Sequence, residues 1–194
     1  MRVTKEVAEQ NRMRILETAV ALFKTRGSDN VSISDLAKAA GFTHGGFYNH
    51  FKSKDDLIVE AIKYAFDEAL GAITQENGVS PAESIASRLA LYPSPEHRDE
   101  IGGGCPTGSF PVDVARQSVG AQEAFADGLE RYLALVEGVS PGKGEGKRRA
   151  AIAALSALVG GIILSRAVRR ARPELSDELL EAVRSHHERQ FDIQ

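Results

Sequence analysis

The chain has 194 residues, 42% of them hydrophobic and 26% charged, with a formal net charge of −3, the balance of a globular protein long enough to bury a core without staples. One cysteine, Cys105, excludes an intramolecular disulfide and favours a reducing compartment, and the charged opening MRVTKEVAEQNRMR lacks the apolar centre of a signal peptide. The net charge hides a division: residues 1–55 carry nine Lys or Arg against six Asp or Glu, and residues 56–194 carry fifteen against twenty-one, the asymmetry of a chain whose basic end meets phosphate.

In chain order almost everything reads as helix. Ile15, Leu16, Ala19, Leu22 and Phe23 form a helical apolar stripe between Lys5 and Arg26, and Gly27 closes it. Ser32, with Asp35 three residues on, caps a second helix that ends at Gly41. THGGFYNHF is a third short helix capped by Thr43, and Ser53 caps a fourth of about five turns, with Ile58, Ile62, Ala65, Ala69 and Ile73 on one face. A helix is expected from Pro81 to about Leu91, a broken stretch through YPSPEHRDEIGGGCP, then helices over Gly108–Gln117 and 121–138. SPGKGEG is a turn-rich linker before a long helix from about Lys147 to Ala171, ended by Pro173, and the last helix opens at Ser176. The apolar run Ala150–Leu164 is shorter than a bilayer span and reads as a buried helix, so no membrane partner is expected. No strand period or repeat appears, and the fold class is all-α.

Three short helices in the first 52 residues, the second and third joined by a glycine turn, form a helix-turn-helix. Ile33, Leu36, Ala37 and Ala40 supply the inner face of the second helix, Phe42 plugs the core beneath the turn, and Phe47 and Phe51 bury the third. Thr43, His44, Gly45, Tyr48 and Asn49 are left on the outer surface, where a helix presenting short polar groups can enter the major groove. With AVALF upstream and SISDLAKAAGFTHGGFYNHFKSKDDL following, this segment is similar to the DNA-binding domain of the TetR family of bacterial transcriptional regulators. The resemblance covers roughly the first 60 residues; beyond them only the helical architecture agrees.

The resemblance implies a helix-turn-helix domain over 1–52 and a helical effector-binding and dimerisation body over 53–194. It implies a ligand-responsive, non-enzymatic regulator, a cytoplasmic homodimer on palindromic double-stranded operator DNA, most often a repressor released by a small apolar effector. Tyr48, His50 and Lys54 match positions that contact phosphates, Ser32 matches a helix cap facing phosphate, and Thr43, His44 and Gly45 match positions that approach base edges. The two glycines of THGG each weaken a helix by roughly 1 kcal/mol against alanine, which shifts the expected readout toward operator shape.

The expected dimer interface is the pair of helices 121–138 and 147–171, with Ala150, Ala153, Ala154, Ala157, Gly160, Gly161 and Leu164 as a small-residue seam. The expected effector pocket lies between the fourth helix and the middle region, lined by Phe66, Leu70, Ile73, Leu89, Tyr92, Ile101, Cys105, Phe110, Phe125 and Tyr132. His97, Arg98, Arg116, Thr107 and Ser109 are the polar groups available to orient a ligand. The absence of tryptophan argues for a modest apolar cavity over a stacked aromatic cage.

Cys105, between three glycines and Pro106, has two readings. It is a small apolar plug at a bend, or a thiol at the start of a helix opened by Pro106, sensing an electrophile or oxidant. A cysteine-dependent enzyme using Cys105, His97 and Asp113 is a third and more distant reading, since no catalytic signature accompanies them. HExxH, CxxC and P-loop motifs are missing, and the adjacent His186 and His187 point about 100° apart on a helix, as a solvated surface pair, so neither metal nor cofactor is expected. An interaction module without DNA binding is separated from the regulator by salt-sensitive duplex binding.

Overall fold

The protein is described by a computed structural model over residues 4–191, and its regular elements there are helical throughout. Helix α1 (Lys5–Arg26) starts where the Thr4 hydroxyl accepts from the Val7 amide and ends at Gly27, at φ +78°. A 3-10 turn (Ser28–Asn30) leads to α2 (Ile33–Ala40), which opens on the reciprocal Ser32–Asp35 capping box and closes at Gly41 in the left-handed region. α3 (His44–Phe47) is a single turn capped by Thr43, and α4 (Lys54–Thr74) starts at the Ser53 cap. Leu57, Ile58, Ala61, Ile62, Ala65, Phe66, Leu70 and Ile73 of α4 turn inward. Ala69 is only half-buried.

α5 (Pro81–Leu91) begins with a second capping box, Ser80 with Glu83. The stretch expected to be broken holds one short helix, α6 (Pro95–Asp99). Over the expected helix Gly108–Gln117 lie two separate turns, α7 (Pro106–Ser109) and α8 (Pro111–Val114). Pro111 explains the break: it lacks the amide hydrogen that would continue the helical ladder, while Phe110 before it keeps right-handed helical backbone. α9 (Val119–Val139) and α10 (Glu145–Val168) follow.

The last helix, α11 (Pro173–Phe191), opens at Pro173 and not at Ser176. Proline suits a first helical turn, where its missing amide costs nothing. Ser176 is buried instead, hydrogen-bonded to Ser165 and to Arg98. His187 is also buried, so the two C-terminal histidines are not a solvated pair.

The buried apolar side chains form one contiguous cluster from Ile15 to Leu180. α4 and α9 lie at its centre, with α1, α5 and α10 packed around them and α11 against α10. α10, with 24 residues and a mean hydropathy of 2.0 over its most apolar stretch, is long enough to cross a membrane by length and composition alone, longer than the apolar run suggested. Ala151, Ala154, Leu155, Leu158 and Ile162 face the interior.

Candidate nucleic-acid interface and the joint behind it

The outward surface of the helix-turn-helix rests on an aromatic base. Phe47 and Phe51 are buried with ring centroids 5.7 Å apart, and the Arg12 guanidinium lies 4.6 Å from the Phe51 ring centre. Tyr48 stands edge-on between Phe47 at 5.3 Å and His44 at 5.5 Å, yet is 50% exposed. Thr43, His44, Gly45 and Asn49 are exposed beside it. The Thr43 hydroxyl accepts from the Gly46 amide at 3.1 Å, so its cap role leaves the hydroxyl hydrogen available.

His50 is half-buried, with its ring 6.0 Å from Phe42. Phe42 itself is half-buried and covered by Arg14 at 4.5 Å, so it shields the turn more than it plugs the core. Lys54 is half-buried at the first position of α4, and Ser32 is exposed at the start of α2. The Ser32 hydroxyl is already engaged: it donates to Asp35 at 2.6 Å and accepts from the Asp35 amide at 3.1 Å. Those hydrogen bonds hold the Asp35 carboxyl below its usual range. Of the expected contact residues, Ser32 therefore has the least freedom to meet a phosphate.

Behind this surface the DNA-facing segment is tied to the rest of the chain by polar contacts, some buried and some exposed. Asp113 of α8 accepts from the Ser28 amide at 2.8 Å and from the Ser28 hydroxyl at 2.6 Å, and both residues are buried. Gln117 donates to Asp29 at 3.0 Å and Ser118 to Asp55 at 2.7 Å. The Lys24 ammonium at the end of α1 donates to the Gly104 carbonyl at 2.6 Å. Arg166 of α10 donates to the carbonyls of Arg98 (2.8 Å), Gly108 (2.6 Å) and His97 (2.9 Å). Arg166, after the apolar run of its helix, was the one local signal for this joint; Asp113 entered the sequence reading only as a distant catalytic candidate, and Lys24 did not enter it.

Cys105 sits at the joint as a half-buried free thiol. Its sulfur is 3.0 Å from the Thr107 hydroxyl, which is 3.1 Å from the Tyr92 hydroxyl. Burial first, and then the neighbouring Cys105, raises the phenols of Tyr92 and Tyr132 well above the ordinary tyrosine value. His97 stacks on Tyr92 at 4.2 Å, and its buried Nε2 makes no hydrogen bond among the described residues. Burial, then the charges of Arg166 and Lys24, pull this imidazole down to about 4, so it is neutral near pH 7. Pro106 does open a helix, as expected, but that helix is one turn long. The third glycine of GGG is required by close approach: a Cβ at Gly104 would come within 2.4 Å of the Glu100 carbonyl.

Most of the residues expected to line an apolar cavity are buried in the core. Phe66, Leu70, Ile73, Leu89, Tyr92, Phe110 and Tyr132 are buried, and Phe125 packs edge-on against Phe66 at 5.4 Å. Gly128 presses on the Phe66 ring so closely that a Cβ would overlap it. Ile101 alone of that set borders an open groove, together with Ser109, Lys24 and Arg166. Arg98 is buried and spent on Asp99, Ser176 and Asp177, joining α6 to α11. Arg116 is exposed, 3.6 Å from Asp113, and Thr107 is taken up by Cys105 and Tyr92.

The expected small-residue seam on α10 divides. Ala154 and Gly161 point inward, and a Cβ on Gly161 would meet Val183 of α11 at 2.8 Å. Ala153 and Leu164 are exposed, with Ile152 beside them, while Ala150, Ala157 and Gly160 are half-buried. Helix α9, the other half of the expected interface, is engaged with α4, α5 and α10 of its own chain. Among the described residues no group of three or more His, Cys, Asp or Glu is placed to hold a metal ion.

Residues 15–61 match the family model for bacterial regulatory proteins of the tetR family. The HTH-type transcriptional regulator AcrR of Shigella flexneri is 46% identical over 59 residues, 30% of this chain and 27% of that one. The HTH-type transcriptional repressor KstR2 of Mycolicibacterium smegmatis is 31% identical over 90 residues, covering 45% and 44%. The chain thus matches less than half the length of these curated relatives. In fold the likeness runs through the whole chain. Reduced E. coli NemR superposes with a TM-score of 0.72 at 22% identity over 93% of this chain and 96% of that one. A TetR transcriptional regulator from Legionella pneumophila superposes with a TM-score of 0.73 at 23% identity over 98% and 100%. Residues 15–61 thus form a DNA-binding segment similar to that of the tetR family, on a chain whose helical architecture is that of the solved TetR regulators.

Proposed function

We propose that this protein is a DNA-binding transcriptional regulator that acts by binding and not by catalysis. In this reading residues 1–52 are the DNA-binding head, and a homodimer places two α3 turns in successive major grooves of a palindromic operator about 34–36 Å apart. Repression relieved by a small-molecule effector is the mode we assign, in the cytoplasm. One observation carries it: Thr43, His44, Gly45, Tyr48 and Asn49 stand exposed together on a turn whose other side, Phe47, is buried. Ala153, Leu164 and Ile152, exposed on α10, support pairing through that helix.

Selection from a randomised duplex pool tests this. The full chain is expected to enrich a two-fold site, to bind it less tightly as salt rises, and to lose at least about tenfold affinity in Tyr48→Ala/Lys54→Ala. No enrichment, or equal binding by the double variant, sinks the reading.

A second input is favoured by a separate observation. Cys105 is a half-buried free thiol at the joint, in contact with the Thr107 hydroxyl. Thiol sensing predicts that N-ethylmaleimide or peroxide releases the wild-type chain from its selected duplex. Equal release of Cys105→Ser would refute it and leave Cys105 as packing.

A further inference from the structure

Two half-buried cations from opposite sides of the joint face one open groove. It measures about 320 Å³, and Ile101, Pro111, Val112 and Ile163 form its walls, with Lys24 from α1 and Arg166 from α10. The hydrogen bonds of both cations go to neutral backbone carbonyls. Among the described residues neither takes part in an ion pair. Without an ion pair, Cys105 and then Glu100 favour the charged form of Lys24, and Tyr92, Cys105 and then Asp99 that of Arg166, each less than burial opposes it. An ammonium carries three donors and a guanidinium five, so N–H groups remain on each after these bonds. Burial lowers both cations from their ordinary values, as expected where positive charge is only partly compensated.

We infer that this groove binds a small organic anion, a carboxylate with a short apolar tail, its charge between Lys24 and Arg166 and its tail on Ile101, Val112 and Ile163. A volume near the lower end for ligand sites favours a small occupant. The apolar walls favour a tailed anion over a bare one. As an effector site this deepens, and rests on, the regulator reading, because the groove reaches both halves of the joint. Pro111 and Val112 directly precede Asp113, which holds Ser28, and Lys24 lies on the last turn of α1 before it. An occupant that displaces Pro111–Val112 therefore acts on the tie between body and head.

Calorimetry on the full chain without DNA tests the site. The probes are octanoate and benzoate, their primary amides, and inorganic phosphate. The carboxylates are expected to bind at least about tenfold more tightly than the amides and than phosphate. Val112 is 56% exposed, so Val112→Glu sets a competing carboxylate at the rim without disturbing the core. It is expected to weaken octanoate at least about tenfold and several-fold more than the neutral Val112→Gln does, with Lys24→Met weakened like the glutamate variant. Equal binding of amide and carboxylate, or unchanged octanoate affinity in Val112→Glu, overturns the proposal. Phosphate binding as well as octanoate overturns the tailed ligand. Duplex selection is measured separately: its failure with octanoate still bound counts against the regulator alone, and the reverse result counts against the groove alone.

Discussion

The surface around Thr43–Asn49 and the joint around Cys105 use similar chemistry, hydroxyls and an imidazole with a lysine nearby, but water reaches them very differently. On the first surface only the aromatic base is buried, so Tyr48 and His44 keep their polar atoms toward solvent. At the joint the polar atoms themselves are enclosed. Asp113 accepts from Ser28, Arg166 donates to three carbonyls, and His97 is held neutral. An exposed polar group loses little when it changes, whereas a buried one leaves its partner unsatisfied. The first region is thus suited to swapping water for phosphate, and the second to holding one arrangement of head and body.

Truncating the base of the first region should have the largest effect. Phe47→Ala is expected to cost about 3–5 kcal/mol of stability by emptying a fully buried site, read by urea unfolding, and to abolish duplex binding with it. At the joint, Asp113→Ala strands the amide and hydroxyl of Ser28 and should cost about 1–3 kcal/mol. A loss no larger than that of an exposed aspartate such as Asp67 would remove the distinction drawn here. His97 gives the joint a pH signature. The folded chain holds it neutral down to about 4, while the unfolded chain takes up a proton below 6.5, so stability falls as pH drops through that window. Discounted for partial exposure, the effect is about 1–2 kcal/mol. His97→Phe keeps the ring against Tyr92 and should flatten that part of the pH–stability profile. Burial shifts His187 the same way, so part of the slope should persist. Tyr48→Phe should change stability least, within about 0.5 kcal/mol, while weakening duplex binding; the same change at buried Tyr92 should be the more destabilising of the two.

Caps and periodicity made most helices legible. Ser32 with Asp35, Thr43, Ser53 and Pro81 mark starts by local hydrogen bonding or backbone restriction, and those interactions do not depend on what lies far away in the chain. The misreadings came from prolines whose role depends on neighbours. Pro111 divides an expected helix into two turns, and Pro173 begins a helix it was expected only to follow. The exposed candidates on the helix-turn-helix were legible because Phe47 and Phe51 settle which side is inward. The α10 seam was not, because small residues are compatible with either face. Val183 of α11 is what turns Gly161 inward.

By itself, then, the sequence determined the all-helical class, the helix-turn-helix and the outward side of α3, since these rest on interactions within a few turns. Only the tertiary structure decided that most of the expected cavity residues are buried in the core and that Lys24, Arg166, Asp113 and Ser28 converge on one joint. Lys24 and Arg166 are separated by most of the chain, and no local period encodes their meeting. The packing of α7 between α1 and α10 partly encloses them, and that partial enclosure distinguishes these charges from those the surface leaves in water.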